Sequence, residues 1–340
     1  MDTVIEGTIL SGREFDPVEG RVVVEDGEIA AVEETSVTSD DIVLPAFVNA
    51  HTHIGDSIAK EAGGGLSLEE LVAPPDGLKH RLLRAADREE TVDAMRRSLH
   101  LMQATGTGAC IEFREGDVAG VEAIRDAADG LDVDPVVLGR GSVDAMHAAD
   151  GFGASGANDA SFDTERTATR EAGKLFGIHA GEVDESDINP ALDLDPDFLV
   201  HMVHAKALHL DRVADSEVPV AVCPRSNLVT DVGLPPVERL QERTTVALGT
   251  DNVFLNSPSM FREMEFTAKL YDLSAAEVLR MATVNGAEIA GLDCGLIEPG
   301  RPARLTVLGG DTDNLAGYQD PLRAAVRRAG QADVTRVLLP

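Results

Sequence analysis

Hydrophobic positions recur along this chain in two rhythms, one strand-like and one helical. Near the start, RVVVEDGEIAAVEE sets two β-rich runs on either side of Asp26-Gly27, a dipeptide that favours a tight hairpin turn. The run VLPAFVNAHTH that follows is almost wholly apolar until its end, as a strand buried on both faces would be. Further strand-like runs fall at 107–114, 135–141, 175–182, 198–205, 218–226 and 245–252, with a glycine-rich one at 150–155. Between them TVDAMRRSLHLMQAT, VAGVEAIRDAADG and PPVERLQER carry helical spacing. Strands that alternate with helices imply parallel βαβ units, and eight strands, counting 43–53, suggest closure into a (β/α)8 (TIM) barrel. A final helical region at 259–291 gives way to GLIEPGRPARLTVLGG, which is β-like again. Both chain ends are therefore expected to pair in one small β-sandwich domain, 1–43 with 293–340, beside a barrel domain at 44–292. The longest irregular stretch, about 54–88, follows the first barrel strand, a natural place for an active-site loop.

Composition narrows the picture. A length of 340 residues suits one barrel of about 250 residues and a small appendage. Aromatic residues make up 4% of the chain and Trp is absent, so Val, Leu, Ile and Ala must fill the core. The formal net charge is −31, from 60 acidic and 29 basic residues, and the acids are spread over the whole chain. Such a surface excludes nucleic acid and anionic membrane as partners, because phosphate binding needs basic patches. A dispersed acidic surface poor in lysine is similar to that of proteins from salt-accumulating halophiles, where salt screens the self-repulsion. Cys110, Cys223 and Cys294 lie far apart in apolar contexts and read as buried thiols. The N-terminal MDTVIEGTIL has no basic, apolar leader, and no run reaches the ~20 apolar residues of a membrane span. A cytoplasmic protein acting on a small molecule is expected.

Chemistry enters with the histidines. Five of the nine fall at or just after the ends of strand-like runs. His51 and His53 are two apart, and on a strand i and i+2 point to the same side, so both imidazoles can reach one metal ion. His179 ends the fifth run, His201 and His204 lie on the sixth, and Asp251 ends the eighth in LGTDN. Barrel active sites form at that rim. Imidazoles joined by a carboxylate suit one divalent ion, Zn²⁺ first and Fe²⁺ second. His80, His100, His147 and His209 sit in helical or loop contexts and read as structural. Arg114 and Arg140 end strand-like runs and are candidates for a substrate anion, as is Arg225 in CPRSN. Arg225 could equally pair with an acid, and Asn227 reads as a loop brace.

The motifs jointly resemble the amidohydrolase superfamily. LPAFVNAHTH is similar to its first-strand motif, and HAGE (179–182) to the fifth-strand motif of adenosine deaminases. HMVHA (201–205), CPRSN (223–227) and ALGTDN (247–252) resemble the sixth, seventh and eighth strand motifs of the adenosylhomocysteine deaminase, cytosine deaminase and chlorohydrolase group. The resemblance covers about residues 1 to 308. It implies His51, His53, His179 and Asp251 as metal ligands, Glu182 as general acid/base and His201 as a catalytic histidine beside the attacked carbon. His204, Arg225 and Arg114 are, from their placement alone, candidates to contact substrate. Asp251 would also take a proton from the attacking water, whose pKa the metal lowers toward ~7. No Lys ends the fourth run, where two-metal relatives carry a carboxylated one, so a single ion is implied. The expected reaction is hydrolytic deamination of an amino-substituted purine, pyrimidine or pteridine-type ring. Dechlorination or lactam opening on the same site is the first alternative, and an inactive scaffold is the remote one. A homodimer is compatible with the resemblance.

Overall fold

The computed structural model describes residues 3–72 and 76–340. Ala73, Pro74 and Pro75, inside the stretch expected as an irregular loop, lie outside the described residues, as do Met1 and Asp2. The N-terminal hairpins are β1 (Thr3–Ser11), β2 (Asp16–Glu25) and β3 (Glu28–Glu34), followed by β4 (Ile42–Pro45). The DG turn lies where expected, with Asp26 and Gly27 both at positive φ. A second set of strands comprises β5 (Phe47–His53), β6 (Thr107–Arg114), β7 (Asp134–Gly139), β8 (Gly151–Ala154) and β9 (Leu175–Ala180). It continues through β10 (Phe198–His201), β11 (Val220–Val222), β12 (Val246–Leu248) and β13 (Asp251–Asn252). Near the C-terminus stand β14 (Leu305–Leu308) and β15 (Val334–Leu338).

The helices are α1 (Leu68–Val72), α2 (Leu78–Ala85), α3 (Arg88–Ala104), α4 (Asp117–Ala128) and α5 (Val143–Ala148). Then come α6 (Asp163–Ala172), α7 (Ile188–Asp193), α8 (Ala207–Asp215), α9 (Pro224–Val229) and α10 (Val237–Gln241). The last four are α11 (Met260–Leu270), α12 (Ala275–Ala282), α13 (Val284–Ala290) and α14 (Pro321–Arg327).

Mixed α/β architecture is thus observed, with two separate sheets. In the first the strand order is β12-β11-β10-β9-β8-β7-β6-β5-β13, all in parallel register. Its two outermost strands are consecutive in the chain: Val246–Leu248 bonds to β11, and Asp251–Asn252 bonds to β5. The sheet therefore curls until one run serves both edges, consistent with a (β/α)8 barrel. Asn49 latches that seam, giving its Nδ2 hydrogen to Thr250 Oγ1 at 2.8 Å and accepting from Thr250 N at 3.0 Å. Inside the curl pack Ala50, Ile111, Phe113, Val136, Leu138, Phe198, Val200, Ala221, Cys223 and Ala247. Their small and branched side chains meet the need set by an aromatic-poor composition. All three cysteines are buried and free.

The second sheet, ordered β15-β14-β4-β1-β2-β3, joins both chain ends as expected. Three details differ from expectation. These strands form one six-stranded sheet, where two facing layers were expected. The C-terminal part is not all β, because Asp320 caps α14 and Pro321 opens it, giving that stretch a helix start. The apolar run at 43–53 serves both sheets, as β4 in this one and β5 in the other. The stretch 54–88 is also richer than a loop, holding a 3-10 turn at Ile54–Ala59 together with α1 and α2.

Candidate metal centre

Strand pitch brings His51 and His53 to the C-terminal end of β5, where all of β5 is buried. His179 is the fifth residue of β9, His201 the last of β10, and Asp251 the first of β13. One donor atom from each of His51, His53 and His179 lies within 4.8 Å of the others, and the same holds for His51, His201 and Asp251. Five side chains therefore converge, with His51 common to both groups. The backbone bends to achieve this: His201, Met202 and Asp251 all sit at positive φ (78°, 57° and 58°), a costly conformation for residues with a Cβ. Gly249 is required beside them, since a Cβ there would lie 2.8 Å from His51 N. Phe113 floors the cluster, its ring centroid 4.6 Å from that of His51 and 5.0 Å from that of His179.

Hydrogen bonding decides which nitrogens face inward. His179 Nδ1 lies 2.7 Å from the Ala154 carbonyl, which can only accept, so Nδ1 carries the hydrogen and Nε2 presents its lone pair. His53 Nδ1 lies 3.0 Å from Glu115 Oε1, at ion-pair distance but without hydrogen-bond alignment. Those two Nε2 atoms are 3.4 Å apart. Asp251 Oδ1 stands 3.3 Å from His51 Nε2 and 3.7 Å from His53 Nε2. Both ring nitrogens of His51 are buried without a hydrogen-bond partner. Buried imidazole nitrogens without a partner, gathered against a carboxylate, are what a cation resolves, so the donor set fits a divalent ion. Burial, reinforced by the nearby Lys79, depresses His53 to about 3, and burial also lowers His51 and His179. All three imidazoles are thus neutral and ready to ligate. Burial works against the Asp251 anion, but its close contact with His51 holds its carboxyl well below the usual range.

Around the cluster, Ser226 Oγ donates to Asp251 Oδ2 at 2.6 Å and Asn252 Nδ2 donates to Asp251 Oδ1 at 2.9 Å. Asn227 Nδ2 lies 3.3 Å from His201 Nδ1, so Asn227 touches the site directly and does more than brace a loop. Glu182 Oε2 lies 3.5 Å from His201 Nε2, with a fifth of its side chain open to solvent. Burial pushes the Glu182 carboxyl up, partly offset by His201. Where two-metal relatives would have a lysine, β8 ends in Ala154.

The three candidate substrate contacts fare differently. Arg225 does not end a strand: it is the second residue of α9, a helix opened by Pro224. Its Nε and backbone N–H both bond the buried Glu263, at 2.6 and 3.0 Å, and Nη2 bonds the Ser257 carbonyl. Arg114 ends β6 but is turned inward, 4% exposed, with Nε on the Gly120 carbonyl and Nη1 against Gly55, where a Cβ would collide with it. His204 lies beyond the end of β10, half-buried, its backbone N–H on the Gly181 carbonyl. His80 and His209 make structural contacts, to the Val72 carbonyl and the Lys206 N–H.

A second group of charges beside the cluster has no counterpart in the motifs. Lys79 from α2 is buried and meets Glu115 Oε1 at 2.7 Å and Asn252 Oδ1 at 3.1 Å. Arg140 and Arg114 approach Glu115 at 3.4 and 3.8 Å. Although burial opposes it, Lys79 leads the charges that hold the Glu115 carboxyl well below the usual range. Glu112 accepts from Ile54 N and Thr52 Oγ1, and burial raises it to about 7. Among the described residues no helix is long and apolar enough to cross a membrane.

Comparison with known proteins adds a family. The family model described as "Amidohydrolase family" matches residues 42–203 and 189–338. A putative aminohydrolase of Methanothermobacter thermautotrophicus is 34% identical over 100% of this chain and 98% of its own. A 5-methylthioadenosine/S-adenosylhomocysteine deaminase of Halobacterium salinarum is 28% identical, over 99% of this chain and 88% of its own. Among solved structures, the adenosine deaminase of Xanthomonas campestris with bound zinc is 20% identical. It superposes with a TM-score of 0.76 over 99% of this chain and 91% of that one, a likeness of fold.

Proposed function

This chain belongs to the amidohydrolase family, hydrolases of carbon–nitrogen bonds, and from that premise we propose a metal-dependent deaminase of an amino-substituted N-heterocycle. Within that class we favour purine nucleoside-like rings, because a full-length relative is named as a deaminase of adenosine derivatives. One observation carries the reading: imidazole and carboxylate donors converge on a point, with the partly exposed Glu182 beside His201.

His51, His53, His179 and Asp251 would hold one divalent ion, zinc before iron. When bound, it supplies Lewis acidity that brings a water's pKa toward neutrality. The chain's own groups do the rest. Environment separates two carboxyl groups: Asp251 is held well below the usual carboxylate range, while burial raises Glu182. Glu182 would take one proton of the attacking water and give it to the ring nitrogen, then carry the second, from the hydroxyl left on the ring carbon, to the departing amine. The C–N bond breaks, ammonia leaves, and a ring carbonyl remains. With Asn227 donating to Nδ1, His201 keeps its hydrogen on Nε2 and directs it at the oxygen gaining charge.

The curled sheet and its helices (44–292) form the catalytic (β/α)8 domain in this reading, and the two ends (1–43 and 293–340) form the second domain. The net charge of −31 supports a cytoplasmic protein of a salt-rich cell. We propose a homodimer as its assembly. The test is metal analysis followed by an ammonia-release screen over amino-heterocycles. About one equivalent of zinc or iron, with ammonia as product, supports the reading. Chloride release from chlorinated rings without ammonia from any amino ring would replace it.

A further inference from the structure

None of the steps above uses the buried charges on the α2 side of the site. Lys79 is 3% exposed, and its ammonium bridges two acceptors that each touch a different member of the donor set. Glu115 Oε1, 2.7 Å from Lys79 Nζ, is also 3.0 Å from His53 Nδ1. Asn252 Oδ1 accepts from Lys79 at 3.1 Å, while its Nδ2 donates to Asp251 Oδ1 at 2.9 Å. We propose that Glu115 is a positioning residue that fixes His53 for the metal, and that Lys79 clamps Glu115 and Asn252, linking the seat of α2 to metal affinity. This rests on the reading of His53 and Asp251 as ligands.

The physical case is one of tautomer and direction. A neutral imidazole carries one hydrogen, and a carboxylate at Nδ1 keeps it there, leaving Nε2 as the donor that faces the centre. Without an acceptor at Nδ1, His53 can exchange tautomers, and the wrong one turns an N–H on the metal. A carboxylate this close to the donor set would itself compete to become a ligand unless tied elsewhere. Lys79 and Arg140 provide that tie at Oε1, the oxygen that also faces His53, and Arg114 at Oε2. Lys79 reaches its place because α2 is seated by apolar contacts. Leu78 and Leu82 pack with Ile58, Ala59, Leu71 and Phe254, and Phe254 is two residues beyond Asn252. A helix on one side of the mouth is thereby wired to both His53 and Asp251. By reciprocity, metal binding should steady α2 as much as a seated α2 favours the metal.

The experiment measures zinc affinity of metal-free protein by chelator competition. Glu115→Gln keeps an acceptor for Nδ1–H and should stay within a few-fold of wild type. Glu115→Leu combined with Lys79→Met removes the acceptor without stranding a buried charge, and affinity should fall about 10- to 100-fold. A pure packing or ion-pair role would make the two variants alike, and equal affinities would overturn the proposal. Should the double variant fail to fold, ¹⁵N spectra of wild-type metal-free protein decide, with His53 identified by its loss in His53→Ala. A protonated Nδ1 supports the proposal and an unprotonated one overturns it. Hydrogen exchange tests the clamp: zinc should slow exchange across residues 78–85 in wild type and not in Lys79→Met, and no slowing in wild type removes Lys79 from the account. His53→Ala separates the two levels. If it leaves zinc affinity unchanged, the ligand reading fails. If it lowers affinity while the Glu115 variants match, only the present inference fails.

Discussion

The two sides of the metal centre are built on different principles. On the β9, β10 and α9 side, Glu182, His201, Asn227 and Ser226 are few, mostly neutral, and each makes one short contact toward the cluster. On the α2 and β6 side, Lys79, Glu112, Arg114, Glu115 and Arg140 form a dense knot of buried charge that meets the cluster through Glu115 and, by way of Asn252, through Lys79. On the first side Glu182 is partly open to solvent and is the proposed proton carrier; on the second, Glu112 and Glu115 are engaged by cations or backbone donors. On the proposed reading, the difference is a division of labour in which one side does chemistry and the other holds ligands still.

Mutations should separate the sides. The largest effect belongs to the chemical side: Glu182→Gln should cut turnover about 10²- to 10⁴-fold while metal content, measured on the same sample, stays at wild type. If the metal is lost as well, Glu182 is a ligand and the division collapses. The charged side should instead show itself in stability. Glu112 titrates at about 7 when folded against its ordinary 4.5, so its contribution is fully present below 4.5 and is lost as pH rises through 7. In metal-free protein, wild-type stability relative to Glu112→Gln should therefore decline by about 3 kcal/mol over that window. A flat difference would mean that Glu112 is ionised throughout. Asn227→Leu should lower turnover by about tenfold to a hundredfold, the range for partners that orient working imidazoles, with little change in zinc affinity. The smallest effect is global. Molar KCl should raise the melting temperature by on the order of 5 °C as repulsion among surface acids is screened. The Arg225–Glu263 pair, which is buried, should not respond.

Legibility in the sequence follows the same divide. His51, His53, His179, His201 and Asp251 could be read because strand pitch and position at a strand's end dictate where such side chains point. Asn227 was half legible, and Ser226 was not. Pro224 at a first helical position signals that CPRSN starts a helix, which explains why Arg225 turns toward Glu263. Lys79 and Glu115 could not be read. Lys79 lies in a stretch with no long periodicity, and its depth depends on how α2 packs against Phe254, a contact 175 residues away in the chain. The pairing of the chain ends was legible from β-rich runs at both termini. Their union in one sheet was not, since alternation along a strand is the same whether its neighbour continues the sheet or faces it.

The central claim is that one ion, held by donors from both sides, supports deamination. Stepwise addition of zinc to metal-free protein, with ammonia release followed on an amino-heterocycle substrate, tests it most directly. The account predicts activity that rises linearly and breaks at one equivalent, and a His51→Ala, His53→Ala variant that stays inactive throughout. A break at two equivalents, or full activity before any zinc is added, would contradict it.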